Sequence, residues 1–327
     1  MLPMVISSLI EGKVSVTRLQ DYMTAEEFDV DAIESAHGTD RGSMSISEGV
    51  FEWVAGTPTI KNINLTIPKG KLVAVIGQVG SGKSSLLSAF LGDIPKKHGT
   101  VYVDGSVAYT AQQAWIQNAS VRENILFQLP YDDDKYHQVA DVCELLSDFE
   151  ILPNGDQTEI GEKGINLSGG QRQRVSLARA VYQEADIYIL DDPLSAVDAH
   201  VGKNIFDHCI RGMLKNKTVV LATHQLQFLP MVDHIVVLVD GVVKETGSYQ
   251  QLMNAGQEFS KLMATHVKVQ EEKHEEELVI KPSEKKVATS SSKKGDGTTI
   301  VAEDRETGDV KASVYMAYIR AIGIIFS

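Results

Sequence analysis

Four short runs of uninterrupted apolar residues mark the middle of the chain: LVAVI at 72–76, IYIL at 187–190, VVLA at 219–222 and IVVL at 235–238. Runs of this length without polar alternation predict strands buried on both faces, as in a parallel sheet covered by helices. Residues 45–53 and 61–67 alternate apolar with polar positions and predict an antiparallel layer. Phe51 and Trp53, two apart, are expected on one strand face, with Phe51 in the core. Helical stretches fill the intervals, among them QRQRVSLARAVYQEA from residue 171. The fold class is α/β.

The same pattern divides the chain. Residues 1–23 begin with an apolar stretch too short to span a bilayer and without the basic leader or cleavage site of a signal peptide. It reads as the last turns of a longer hydrophobic helix or as a cap helix of a soluble protein. Residues 24–44 are acidic and contain Gly and Ser, so they read as a linker. Residues 45–265 hold nearly all the strand patterns and read as the folded domain. Residues 266–312 are rich in Glu, Lys and Ser with few large apolar side chains, which predicts a disordered tether; Thr289 to Ser292, set among lysines, are open to phosphorylation or form a plain spacer. Residues 313–327, SVYMAYIRAIGIIFS, turn apolar again.

Composition narrows the classes of function. The chain has 327 residues, 31 Lys plus Arg against 44 Asp plus Glu, and a net charge of −13. This balance argues against a nucleic-acid partner, because binding needs a cationic surface that displaces phosphate counterions. Of its hydrophobic 43%, no stretch reaches 18 uncharged apolar residues. The two cysteines, Cys143 and Cys209, have no metal-ligand spacing and read as core thiols.

Candidate chemistry begins directly after the first buried run. Gly77-Gln78-Val79-Gly80-Ser81-Gly82-Lys83-Ser84 fits the phosphate-binding loop pattern G-x-x-x-x-G-K-[ST], placed between a strand and a helix start as that pattern requires. Glycines let backbone N–H groups converge on a phosphate, Lys83 offers a cation and Ser84 a hydroxyl to Mg²⁺. Leu167-Ser168-Gly169-Gly170-Gln171 opens a second helix. Ser168 and Gln171 have capping-box spacing, and the glycines also permit close approach of an anion to the helix N-terminus.

These motifs, with Asp191 after the second buried run, resemble the nucleotide-binding domain of ATP-binding cassette (ABC) proteins over about residues 45–265. The resemblance implies a P-loop NTPase fold with a mostly parallel core sheet, an antiparallel β layer and a helical signature subdomain. It implies ATP and Mg²⁺ as cofactors. Nucleotide contacts would come from Trp53, stacking on adenine where it does not pack in the core, from Gly77 to Ser85, and from Gln112 and His224. Ser84, Gln112 and Asp191 would hold Mg²⁺; Gln112, Asp192 and His224 would be catalytic. Residues 195–198 match the D-loop, and Leu167 to Gln171 would meet the ATP of a partner domain.

Closer matches, such as QQAWIQNASVRENILF and DDPLSAVDAHVGKNIF, resemble the first nucleotide-binding domain of the C subfamily, the multidrug-resistance-associated or conjugate-exporting type. Residues 1–23 resemble the exit from a first transmembrane domain and 313–327 the start of a second. The implied partners are a second nucleotide-binding domain and transmembrane domains contacted through the Gln112 region, with the domain on the cytosolic face of a membrane protein in the plasma membrane or a vacuole-like organelle. Asp192 departs from the pattern, which usually has Glu. Its side chain is shorter by one C–C bond, about 1.5 Å, and a displacement of that size lowers a rate on the order of a hundredfold. The resemblance thus implies tight ATP binding and slow hydrolysis at this site. A regulatory module of a channel or channel regulator and a soluble ABC ATPase are the alternatives.

Overall fold

The computed structural model describes residues 2–24, 32–34, 40–161 and 165–264. The expected tether, the phosphorylatable Thr289 to Ser292 and the apolar segment 313–327 lie outside the described residues. Helix α1 (Leu2–Met23) has every described side chain exposed, and among the described residues no helix is long and apolar enough to cross a membrane.

Strands β1 (Ser43–Phe51) and β2 (Ile60–Ile67) form the expected antiparallel layer, completed on the other edge of β1 by the strand Lys96–Asp104. Strand β3 (Leu72–Ile76) runs through the Gly-rich turn into α2 (Lys83–Leu91), followed by β4 (Lys96–Asp104) and β5 (Val107–Thr110). Next come the two-residue strand β6 (Ala119–Ser120) and the helices α3 (Val121–Leu126), α4 (Asp133–Val142) and α5 (Leu146–Ile151). Strand β7 (Glu159–Ile160) pairs with β6, and α6 (Gly169–Tyr182) leads to β8 (Ile187–Asp191). Helix α7 (Ala199–Asn204) continues as a π-helical segment, Ile205–Met213. Strands β9 (Thr218–Ala222), β10 (His234–Val239) and β11 (Val242–Gly247) and helix α8 (Tyr249–Ala255) complete the order.

The six-stranded sheet has the order β11-β10-β3-β9-β8-β5; its pairings are parallel except that of β10 with β11. All four apolar runs lie in this sheet, and the pleat divides each of them between two cores. Val73, Val75, Ile187, Ile189, Val220, Ala222, Val236 and Leu238 face the antiparallel layer, with Leu86, Leu87 and Phe90 of α2 in the same core. Ala74, Ile76, Tyr188, Leu190, Val219, Leu221, Ile235 and Val237 face a helical core that includes Tyr136, Val175, Leu177, Phe206 and Phe228. Helix α2 therefore lies with the antiparallel layer on one face, and α6 on the other. The helices α3 and α4 pack on α6 and supply the expected helical portion around the signature motif.

One strand expectation is corrected. Phe51 is buried at 1% exposure, but Trp53 is 51% exposed, so the two do not share a face. The register of β1 shifts between Ile46 and Gly49 and again before Phe51, where the strand ends. The side chain of Glu52 then turns inward, 3.0 Å from Lys97 Nζ and accepting from the Gly56 amide at 3.1 Å. That inward carboxylate and the turn closed by Thr57 N donating to Val54 O carry Trp53 outward. Cys143 and Cys209 are buried thiols, as expected, with sulfurs 4.0 Å apart.

Candidate functional site

The Gly-rich turn joins β3 to α2 where the parallel strands end. Gly82 caps the helix at φ 101°, a left-handed conformation that side chains resist, and a Cβ there would stand 2.9 Å from Ile60 Cδ1. Val79 and Gly80 form an open crest, Val79 being 89% exposed. The first N–H groups of α2, like those of any helix, have no intrahelical acceptor. Beneath the crest the buried Ser81 hydroxyl has no hydrogen-bond partner among the described residues. The loop thus combines orphan donors, an open face and a cation, which suits a phosphate chain.

Lys83 is buried, and its Nζ donates to the carbonyls of Gly77 and Gln78, each at 3.0 Å. Burial lowers its pKa, against the pull of Asp192 and Asp191. Asp191, at the end of β8, has its pKa raised by burial, opposed first by a hydrogen bond from Ser84; Asp192 adds to the rise, while Lys83 and His224 oppose it. A hydroxyl and a carboxylate facing each other are hard oxygen donors of the kind Mg²⁺ takes together with phosphate oxygens. Among the described residues no group of three or more His, Cys, Asp or Glu could hold a metal. A Mg²⁺ held by Ser84, Asp191 and phosphates needs no such cluster.

Asp192 is buried and sits at φ 48°, a region Asp tolerates better than most residues. Its amide donates to Ala222 O at 2.9 Å, and the Thr223 hydroxyl lies 3.5 Å from Oδ1. His224 follows β9 and is exposed; beside it Gln225 is tied to Thr223 and to Leu194 O. Trp53 joins this group from the antiparallel layer, its Nε1 donating to Ser85 Oγ at 3.0 Å. Ser84, Lys83, Asp192 and His224 therefore all bear on Asp191, and Trp53 borders the group through Ser85.

The remaining predicted residues assemble elsewhere. The capping box is present: Ser168 Oγ accepts from Gln171 N at 3.2 Å and Gln171 Oε1 from Ser168 N at 2.9 Å. Ser168 and Gly169 are exposed, while Leu167 is buried. A Cβ on Gly170 would stand 2.8 Å from Ala196 O, so the D-loop backbone rests against the signature glycine. Gln112 is exposed in a cleft of about 770 Å³ lined also by Trp115, Leu167, Gly169 and Ala196, and by no residue of the Gly-rich turn. Structure adds Asn124, Gln173 and Arg179, which hold the Gln112 loop. The signal available for Asn124 was a polar residue between the apolar Val121 and Ile125 on α3.

Residues 60–195 match the family model described as ABC transporter. ABC transporter C family member 8 of Dictyostelium discoideum is 53% identical over 81% of this chain and 17% of its own length. ATP-binding cassette sub-family C member 2 of Mus musculus is 54% identical over 82% of this chain and 18% of its own length. Sub-family C member 3 of Homo sapiens is 50% identical over 85% and 18%. The chain thus spans less than a fifth of the length of these relatives. Phosphate loop, facing Ser84 and Asp191, capped signature helix and these likenesses together place the chain in the ABC transporter family, as an ATP-binding domain of the C-subfamily type.

Proposed function

We propose that the chain is the first ATP-binding domain of a membrane exporter that moves organic anions or conjugates, pairing head to tail with a second such domain. The observation that carries this reading is the Lys83–Ser84–Asp191 cluster under an open Gly-rich crest, with an exposed signature motif in a separate cleft. MgATP, when bound, would supply the phosphoryl group and the positive charge of the metal. Lys83 would then exchange its loop carbonyls for phosphate oxygens, Ser84 and Asp191 would hold the metal, Gln112 would reach it from the neighbouring cleft, and Trp53 would stack on the base. Asp192 would orient water, and His224 would contact the outer phosphate. With a carboxylate one bond shorter than Glu, Asp192 makes this the slow site. Ser168, Gly169 and Gly170 act in trans, since phosphoryl transfer depends on positioned charge.

The domain assignment 1–23, 24–44, 45–265, 266–312 and 313–327 belongs to the same proposal, as do contact with transmembrane domains through the Gln112 region and a cytosolic location. The test is ATP binding and single-turnover hydrolysis by this chain, alone and mixed with its second-domain partner. Tight binding, slow turnover alone and acceleration on mixing support the reading; fast turnover alone overturns the slow-site assignment. Lys83→Ala is expected to abolish tight MgATP binding, and unchanged binding would reject the loop assignment.

A further inference from the structure

The loop that carries Gln112 is held from behind by the helix that begins with the signature motif. Arg179, near the end of α6, donates from Nε to Asn124 O at 2.8 Å, from one terminal nitrogen to Asn124 Oδ1 at 2.9 Å and from the other to Trp115 O at 3.0 Å. Asn124, fully buried on α3, extends the grip: its Oδ1 accepts from Gln117 N at 2.8 Å, and its Nδ2 donates to Gln117 O and Ser120 O, both at 3.0 Å. Gln173, on the same helix, donates to Ala111 O at 3.2 Å, at the other end of the loop. The guanidinium also lies 5.4 Å from the Trp115 ring centre and 5.1 Å from that of Phe127.

Among the described residues Arg179 makes no ion pair; its charge is directed to carbonyls, an amide and two ring faces. A partly buried cation without a carboxylate is poorly explained as a device for stability, since an apolar side chain of similar size would fill the space without desolvation. The planar fork matches three acceptors at once, a geometry that Lys cannot reproduce. We propose that Arg179, with Asn124, is the positioning residue of the Gln112 loop. It makes residues 111–124 and the signature helix one mechanical unit, so that a displacement of α6 is transmitted to Gln112. The functional consequence rests on the role proposed above for Gln112 at the metal.

The test uses the full chain with Arg179→Lys, in a Trp53→Phe background where Trp115 is the only tryptophan. Loss of the fork is expected to shift Trp115 emission and to speed amide exchange at 111–118 by about tenfold, the scale of one hydrogen bond to a charged group. It should also raise the Mg²⁺ concentration needed for ATP binding while leaving Mg²⁺-free nucleotide binding unchanged. A folded variant with unaltered emission and exchange overturns the proposal, as does a drop in melting temperature alone. Gln112→Ala is the control: if it leaves the Mg²⁺ requirement unchanged, the reading of Gln112 fails, and the clamp is judged by emission and exchange only. Should Arg179→Lys not fold, native-state exchange of the unaltered chain in rising denaturant decides: residues 111–118 opening together with α6 supports the clamp, and opening well before it rejects it.

Discussion

The indole Nε1 of Trp53 donates to the hydroxyl of Ser85, on the first turn of α2, at 3.0 Å. Half of the ring is exposed, so its burial stabilises the fold little, while the hydrogen bond orients it beside the phosphate loop. An aromatic face held in this way is prepared to stack on a flat base. Trp53→Ala is expected to weaken MgATP binding by about 1–3 kcal/mol, the range for base stacking on an aromatic ring. Calorimetric titration checks it. A large fall in melting temperature without loss of affinity would reassign the ring to packing.

Gly170 meets the D-loop rather than its own phosphate loop. A methyl group there would press on Ala196 O from 2.8 Å, and backbone yields less readily than a side-chain tip. Gly170→Ala should leave ATP binding by this chain intact and suppress the acceleration of hydrolysis on mixing with a second domain. Loss of the chain's own ATP affinity would contradict a role in trans.

Asp192 is held by its backbone, whose amide donates to Ala222 O, while among the described residues its carboxylate accepts only from the Thr223 hydroxyl, at 3.5 Å. Replacement by Glu extends the carboxylate without disturbing that anchor. Asp192→Glu should raise single-turnover hydrolysis at this site on the order of a hundredfold, measured in the paired domains. An unchanged rate would show that another group limits the site.

A prediction for pH concerns the far end of β8. The Asp186 carboxylate accepts from Arg41 Nε at 3.1 Å, from Arg41 Nη2 at 2.8 Å, and from the Ser106 amide and hydroxyl, both at 2.8 Å. Its pKa falls from the ordinary 3.8 to about 2, chiefly through the Arg41 hydrogen bond. A depressed carboxylate stabilises the fold above its unfolded pKa, and that contribution is lost as pH falls through the folded value. Because Arg41 is 61% exposed and the pair is screened by solvent, Asp186→Asn should cost only about 1 kcal/mol at pH 7. The gap to the unaltered chain should close between pH 3.8 and 2, as read by urea unfolding at each pH.

The apolar runs, the phosphate loop and the capping box were legible because each is a local pattern: its period or spacing is a property of neighbouring residues. Ser168 and Gln171 could be paired from their spacing alone. Trp53 could not be placed, since its direction depends on two register shifts in β1 and on Glu52 turning toward Lys97. Arg179 was hidden for a similar reason, being one of three arginines on α6 that look alike in sequence. Arg174 pairs with Asp148 at 2.8 Å, whereas Arg179 turns to Trp115 and Asn124.

The sequence by itself determined the α/β class, the buried strands, the phosphate loop and the start of the signature helix, because covalent spacing sets pleat, turn and cap. Only the tertiary structure decided that Ser84 faces Asp191, that Trp53 leaves the core, and that Arg179 holds the Gln112 loop. The first and last of those relations join residues 107 and 64 positions apart. They exist only where the parallel strands bring their ends together and where α6 closes over the segment after β5.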